Sequence, residues 1–515
     1  MAIEIVLHDD VRFQLLSRGQ NARFPKKDSD RVSRIALCEN SEDVAEVLER
    51  FVSAGLRPTV RAGGHCYEDF VDNNPQGAII DLSRLTGTTL KLNAPKYCLG
   101  AGTTLEQAYL ELFKRELVTI PGGTCAGVGV GGHIAGGGYG LLSRQYGITS
   151  DWVTAVDIVT LDCSGNACVR RADKTNDTDL LRACRGGGGG NFGIITNFYF
   201  DILPKVPTEV LKGIISFGWD EMTEERFIRI LHLFSNYWET RGTNPETWGL
   251  FSIFNLSHRS SGRLSISVTF TNLDGTVNDT DVVAEYLALF DECKAKTDVS
   301  IHPVTALDDQ DPAHMRTNLY VGKYPLQKMG WIDLQESDGD AAVWTINMRH
   351  KYKSSYMKRA FTREESACFY KHLNRTIPGI DLSRNRVLAD SFGGAVNRKQ
   401  MLEQTASAQR SSILKLQFIG TWTNAAEDAA QIQWLRDFYT ELYATSTAGT
   451  KYRGVPFWST AYEGCYINYP DVDMLKHNYW PQLYYGTGDL FPFLQNVKRK
   501  YDPNNVFRHA MSIPL

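Results

Sequence analysis

PGGTCAGVGVGGHIAGGGYGLLSRQYG, residues Pro121–Gly147, is the stretch on which the fold turns. Eleven of its 27 residues are glycine. Glycine in a helix or strand interior costs backbone entropy, so this density marks backbone that bends tightly or approaches something closely. One thiol, Cys125, and one imidazole, His133, sit inside the run. A smaller version lies upstream in RAGGHCYEDF, residues 61–70, and carries His65. A third run, Gly186–Gly190, leads straight into an apolar strand from Ile194. Exposed backbone N–H groups in such loops form anion nests. The three loops are therefore read as the wrapping of one flat, phosphate-bearing cofactor.

Outward from these loops the chain alternates short strands and helices. Val44, Val47, Leu48, Phe51 and Val52 fall on one face of a helix over Ser41–Gly55, capped by Ser41 and ended by Gly55. Strands are expected at Pro58–Arg61, Ala78–Ser83, Tyr97–Gly102 and Val153–Asp162, with a second amphipathic helix through Leu105–Phe113. Near Pro204–Pro207 the pattern changes to longer strands, Trp248–Asn255, Arg263–Asn272 and Ser412–Phe418, interleaved with helices Asp281–Ala295 and Ala425–Tyr443. This reads as a second α+β unit on an antiparallel sheet. The resulting division is 1–206, 207–454 and a closing segment 455–515 that returns to the first unit.

The bulk properties exclude several classes. A chain of 515 residues exceeds one hydrophobic core. A net charge of -4 gives no footprint for nucleic acid or an anionic membrane. No apolar run reaches the roughly 20 residues that span a bilayer. MAIEIVLHDDVRF lacks a basic start and apolar core, so a cytoplasmic protein, monomeric or weakly dimeric, is expected. The ten cysteines show no CxxC pair and no zinc spacing. Cys163 and Cys168 flank a turn and are expected as free, buried thiols.

Gly127, Gly129 and Gly132 have GxGxxG spacing but do not open a βαβ unit, and the GxxxxGK[ST] loop is absent. The motifs resemble something else. RAGGHCYEDF, then GGTCAGVGVGGHIAGGGYG about sixty residues later, with YINYPD and KRKYDPNNVF near the C-terminus, resemble the berberine-bridge-enzyme-like branch of the vanillyl-alcohol-oxidase (PCMH-type) flavoproteins.

The resemblance implies an α+β, two-domain flavoprotein. Its FAD domain has two α+β subdomains, and its substrate domain is built on a large antiparallel sheet. It implies FAD bonded covalently to His65 at the flavin 8α-methyl and to Cys125 at C6. By position, Arg61, Gly63, Gly64, Gly127, Val128, Gly129, Gly132, His133, Gly189, Gly190 and Ile195 would contact the cofactor, with Val128 gating oxygen. Tyr466 would be the catalytic base beside the cofactor, its phenol pKa lowered by the site. Tyr469, expected on the same side of one strand, competes for that role. Asp390 and Gln417, the latter with Lys415 on its face, would assist, and Tyr67 would touch substrate. YYGxNYxRL, usual before the final helix, is replaced here around 486–494, in a loop expected to border the pocket.

These features suggest an FAD-dependent oxidase of a hydroxyl or hemiacetal on a bulky substrate, returning electrons to dioxygen as hydrogen peroxide. A mono- or oligosaccharide oxidase making lactones is the alternative. A flavin-holding protein with a decayed site is the third reading.

Overall fold

The computed structural model describes residues 3–90, 95–297, 317–335, 348–445 and 448–515. Three sheets organise them. In the first, Arg34–Leu37 and Pro58–Arg61 flank Ala78–Asp81 in parallel, and Glu4–Val6 adds an antiparallel edge. The parallel pairs require a crossover. Ser41–Ser53 supplies it, burying Val44, Val47, Leu48 and Phe51. Its cap is Asn40, not Ser41: the Asn40 side chain accepts from the Asp43 N–H at 2.8 Å. Gly55 closes the helix at φ +73°, as its sequence position suggests.

The second sheet is antiparallel, in the order Thr88–Leu90, Tyr97–Gly100, Ile194–Phe200, Ala155–Leu161, Ala167–Asp173. Here one sequence expectation fails. Leu161 pairs with Ala167, so Cys163 lies in the turn, and both Cys163 and Cys168 are exposed. The outer strand of a sheet edge leaves its side chains in solvent.

The third sheet has nine strands, including Val210–Gly218, Arg263–Phe270, Leu250–Ser257, Arg386–Ser391, Leu414–Trp422 and Arg349–Met357 in that spatial order. Helices Glu224–Thr240, Arg363–Asn374 and Asp428–Leu442 pack against it and one another. Alternation along a strand sends successive side chains to opposite faces. In Leu414–Trp422 this puts Leu414, Leu416 and Phe418 into the hydrophobic core, while Gln417, Ile419 and Thr421 line a cavity on the other face. The predicted helix Asp281–Ala295 ends at Ala288, followed by a short 3-10 turn at Asp291–Cys293.

The C-terminal stretch rejoins the first 200 residues. Helix Leu490–Tyr501 packs on Thr178–Cys184. Buried Lys498 donates to the Asn191 carbonyl at 2.8 Å, and the Ile513 N–H donates to Asn191 Oδ1 at 2.9 Å. Among the described residues no helix is long and apolar enough to cross a membrane.

Candidate active site

A cavity of about 600 Å³ runs from the parallel sheet and the C-terminus, at Val60, Phe507 and His509, to the large antiparallel sheet at Asp390 and Gln417. All three glycine loops line it. Their glycines do two different jobs. Some let loops touch. A Cβ on Gly63 would sit 2.3 Å from the Gly129 nitrogen, and one on Gly140 would sit 1.7 Å from the Gly122 carbonyl oxygen. Others meet no protein at all. A Cβ on Gly132 or Gly189 would have no neighbour within 4 Å, yet both residues line the cavity. Glycine there clears space for whatever the cavity holds. An extended cavity with nests of backbone N–H groups at one end and aromatic walls at the other fits a dinucleotide carrying a flat ring.

The sequence-derived positions fall around this space. His65, Gly63, Gly64, Val128, Gly129, Gly132, His133, Gly189, Gly190 and Ile195 all line it, as do Cys125 and Tyr67. Gly127 does not; its carbonyl packs on Gly63, and a Cβ there would meet His65 Nε2 at 3.3 Å. Arg61 lines the cavity, but its guanidinium is held by Asp81 at 2.6 Å and by the Arg18 carbonyl. Burial pushes the His65 and His133 imidazoles down to about 4, so both are neutral near pH 7. His133 acts as a strut: its Nε2 accepts from the Gly123 N–H at 3.2 Å, which places the ring proton on Nδ1. Cys125 has accessible surface on the cavity. Burial raises its thiol pKa, and Arg386 partly opposes that.

At the sheet end five tyrosines gather. Tyr67 stacks on Tyr352 at 3.6 Å and on Tyr469 at 5.2 Å; Tyr466 meets Tyr469 at 5.0 Å and Tyr139 at 6.0 Å, both edge-on. Tyr466 and Tyr469 do not share a strand. They flank a turn in which the Tyr469 N–H donates to the Tyr466 carbonyl at 2.9 Å. The turn folds the two rings together where a strand would have spaced them apart. The Tyr466 hydroxyl accepts from the Gly138 N–H at 3.0 Å and from Asn468 Nδ2 at 3.2 Å. Burial raises its pKa to about 12, the reverse of the expected lowering, although both donors oppose the rise. Tyr67, Tyr139 and Tyr469 are pushed well above 10 by burial, with further raising by neighbouring phenols or by Asp390. Tyr466 is thus the least suppressed acid of these four.

Asp390 and Lys415 face each other across paired strands. The Tyr139 hydroxyl donates to Asp390, and Lys415 Nζ donates to the Tyr139 oxygen at 2.6 Å. Lys415 Nζ lies 3.4 Å from Asp390 and 3.8, 4.1 and 5.4 Å from the ring centres of Tyr139, Tyr469 and Tyr466. Burial pushes the Lys415 ammonium down to about 7, while Asp390 pulls it up. Gln417 Nε2 donates to the Tyr67 hydroxyl at 3.2 Å.

Sequence reading missed Tyr139, Asn468 and Arg386. Tyr139 had a visible signal, since it is the one large residue in GGGYG. Asn468 had none; only the turn brings it to Tyr466. The replaced loop at 486–494 is absent from the cavity wall: Gly486 packs near Trp458 and Ala408 instead.

The FAD binding domain family matches residues 32–166, and the berberine and berberine-like family matches residues 465–514. Aclacinomycin-N/aclacinomycin-A oxidase of Streptomyces galilaeus is 32% identical, over 98% of this chain and 88% of its own. Hexose oxidase of Chondrus crispus is 30% identical, over 98% and 94%. The structure of a glycopeptide hexose oxidase complexed with teicoplanin superposes with a TM-score of 0.84 at 30% identity, covering 100% of this chain and 99% of that one. The glycine-lined cavity, the two α+β sheets around it, the large antiparallel sheet that closes it and these relatives place the chain in the berberine-bridge-enzyme-like family of two-domain, PCMH-type FAD-linked oxidoreductases.

Proposed function

We propose that the protein is an FAD-dependent oxidase of a CH–OH group on a bulky glycosylated or polycyclic substrate. The observation that carries this is the placement of Tyr466, with two donors aimed at its oxygen, at the junction of the cofactor-sized cavity and the aromatic sheet face. FAD, when bound, supplies the hydride acceptor and the route by which electrons reach dioxygen as hydrogen peroxide.

The chain's own residues supply the proton chemistry. Oxidising an alcohol needs a base for the hydroxyl proton. Tyr466 takes it: as a phenolate it keeps both hydrogen bonds and faces the Lys415 ammonium across the ring. Asp390, Lys415 and Tyr139 form a buried relay beside it. Tyr67, Tyr352 and Tyr469 give flat surfaces on which a sugar or an aromatic ring stacks. The alternative, a mono- or oligosaccharide oxidase making lactones, uses the same base and is supported by the hexose oxidase likeness.

We further read His65 and Cys125 as two covalent anchors for FAD, at the 8α-methyl and C6 positions that the resemblance implies. A neutral imidazole offers its lone pair. The thiol of Cys125 faces the same cavity but needs its proton removed before it can react. Val128, on the cavity wall next to this pair, is read as the oxygen gate. The nested glycines near Gly63, Gly64 and Gly189 hold the pyrophosphate and adenosine portions, and the two units divide near residue 206. A cytoplasmic monomer or weak dimer fits this reading.

Purified protein tests it directly. A yellow chain whose mass after acid denaturation is higher by one FAD is expected, with peroxide released on a glycoside substrate. A colourless chain of bare mass would overturn the reading. A yellow chain that loses its flavin to acid would overturn the anchors alone.

A further inference from the structure

Among the described residues each buried arginine gives N–H groups to a carboxylate or a carbonyl. Arg61 binds Asp81, Arg23 binds Glu68 and Arg410 binds Asp151. Arg144 gives its N–H groups to the carbonyls of Leu250, Phe392 and Gly242. Arg386 differs. It lines the cavity on the sheet face, level with Ile419 on one neighbouring strand and Ser257 on the other. Its Nε is buried without a hydrogen-bond partner. No carboxylate or carbonyl among the described residues holds its guanidinium. Among the described residues the one acid on the cavity wall is Asp390, whose Oδ2 is engaged by Tyr139 and Lys415 and whose Oδ1 has no partner. Arg386 itself is only partly buried, so its guanidinium faces the cavity with no protein counter-charge, a position in which an anion arriving from outside supplies the missing partner.

Resting on the oxidase reading above, we infer that Arg386 is the binding residue for a carboxylate on the substrate. The planar guanidinium fork matches a planar carboxylate bidentately, which no lysine does. Spacing narrows the class further. Arg386 and Asp390 lie four residues apart on one strand and on one face, so their backbones are ~13 Å apart. The oxidised carbon, next to Tyr466 and Asp390, and the carboxylate, at Arg386, therefore lie at different points along one strand of the cavity wall. That describes a carboxylated glycoside or a polycyclic acid, and it disfavours a neutral monosaccharide.

Two probes differing only in this group test it on the flavin-loaded enzyme: 4-nitrophenyl β-D-glucuronide and 4-nitrophenyl β-D-glucoside, titrated against the flavin absorbance. The native enzyme is expected to bind the glucuronide at least ~10-fold more tightly, a preference that shrinks as salt rises. Arg386→Met should bring the two within about 3-fold, and Arg386→Lys should retain part of the preference because it keeps the charge and loses the fork. Flavin content reports whether each variant folds, and Arg386→Gln substitutes should the Met variant not load. Equal binding of the two probes by native enzyme, no binding of either, or a preference that survives in Arg386→Met would overturn the inference. A native protein without flavin would instead sink the oxidase reading beneath it.

Discussion

Replacing Tyr466 by Phe removes one oxygen and leaves the ring packed among Tyr139, Tyr356 and Tyr469. The expected loss can be worked from its surroundings. Burial raises the phenol from 10 to about 12, a handicap of ~2.7 kcal/mol for ionisation at 1.36 kcal/mol per unit. The N–H groups of Gly138 and Asn468 already point at the oxygen, and hydrogen bonds to a charged group contribute ~1.5–3 kcal/mol each. Both donors already act in that value of about 12, so without them the phenol would be harder still to ionise. General-base catalysis of this kind is worth ~10²–10⁴-fold in rate. Tyr466→Phe should therefore slow anaerobic bleaching of the bound flavin by ~10²–10⁴-fold while flavin content stays native. Asn468→Ala, which removes one donor, should cost ~10–100-fold. Tyr469→Phe should cost under ~10-fold, because its hydroxyl reaches Tyr139 and its ring supplies stacking surface, while the base oxygen of Tyr466 is untouched. In the native enzyme the bleaching rate should rise with pH as the phenolate fraction grows, and the Phe variant should lose that dependence. A Tyr466→Phe enzyme within tenfold of native, or a larger loss in Tyr139→Phe, would move the base to Tyr139 and refute the assignment.

Three other outcomes follow from the same geometry. His65→Ala and Cys125→Ala should each keep one acid-stable flavin bond, whereas the double variant should release all its FAD into the acid supernatant, read by mass and absorbance. Gly140→Ala drives a Cβ into the Gly122 backbone, so a loss of ~3 kcal/mol or more in denaturant midpoint is expected, while Gly136→Ala meets only the Asn468 side chain and should lower the flavin-bleaching rate more than stability. His65, His133 and His509 are each pushed down to about 4 by burial, below the ~6.5 of an unfolded histidine. The unfolded chain then binds more protons between those values, so stability is present above pH 6.5 and lost as pH falls toward 4. Thermal midpoints of cofactor-free protein across that window should fall on acidification, and less steeply in His133→Gln.

Much of the first 200 residues could be read because their elements are short, local and punctuated. Gly55, the 3.6-residue period of Val44–Phe51 and the apolar run from Ile194 each signal structure within a few positions. The glycine loops announced a cavity but not the division of labour within it. Whether a glycine serves loop contact, as Gly63 and Gly129 do, or empties space, as Gly132 and Gly189 do, depends on what lies across from it. The sheet face was harder still. Lys415 and Gln417 share a face by simple alternation, yet nothing local says that Asp390 is Lys415's partner, since the register of Arg386–Ser391 against Leu414–Trp422 is set by long-range pairing. The turn that joins Tyr466 to Asn468 resembles a strand in sequence for a related reason. YINYPD has strand-like residues, and only its backbone hydrogen bond reveals the turn.

The two cations on this face are in different electrostatic positions, and that difference orders the chemistry. Lys415 has Asp390 beside it and sits near the pH at which it can give up its proton, at about 7. It can therefore share protons with Tyr139 and tune the charge felt at Tyr466 without leaving a bare charge behind. Arg386 cannot discharge, because a guanidinium stays protonated in any protein environment. A fixed, unmatched charge is useless as a proton relay but effective as an address, since it attracts one sign of ligand over the whole working pH range. Exchanging the two would spoil both. An arginine at 415 would lock the relay in its charged form, and a lysine at 386 would keep a charge but lose the planar fork and discriminate less. On the proposed reading, the order along the sheet, an adjustable cation at 415 and a permanent one at 386, separates where the proton moves from where the substrate is held.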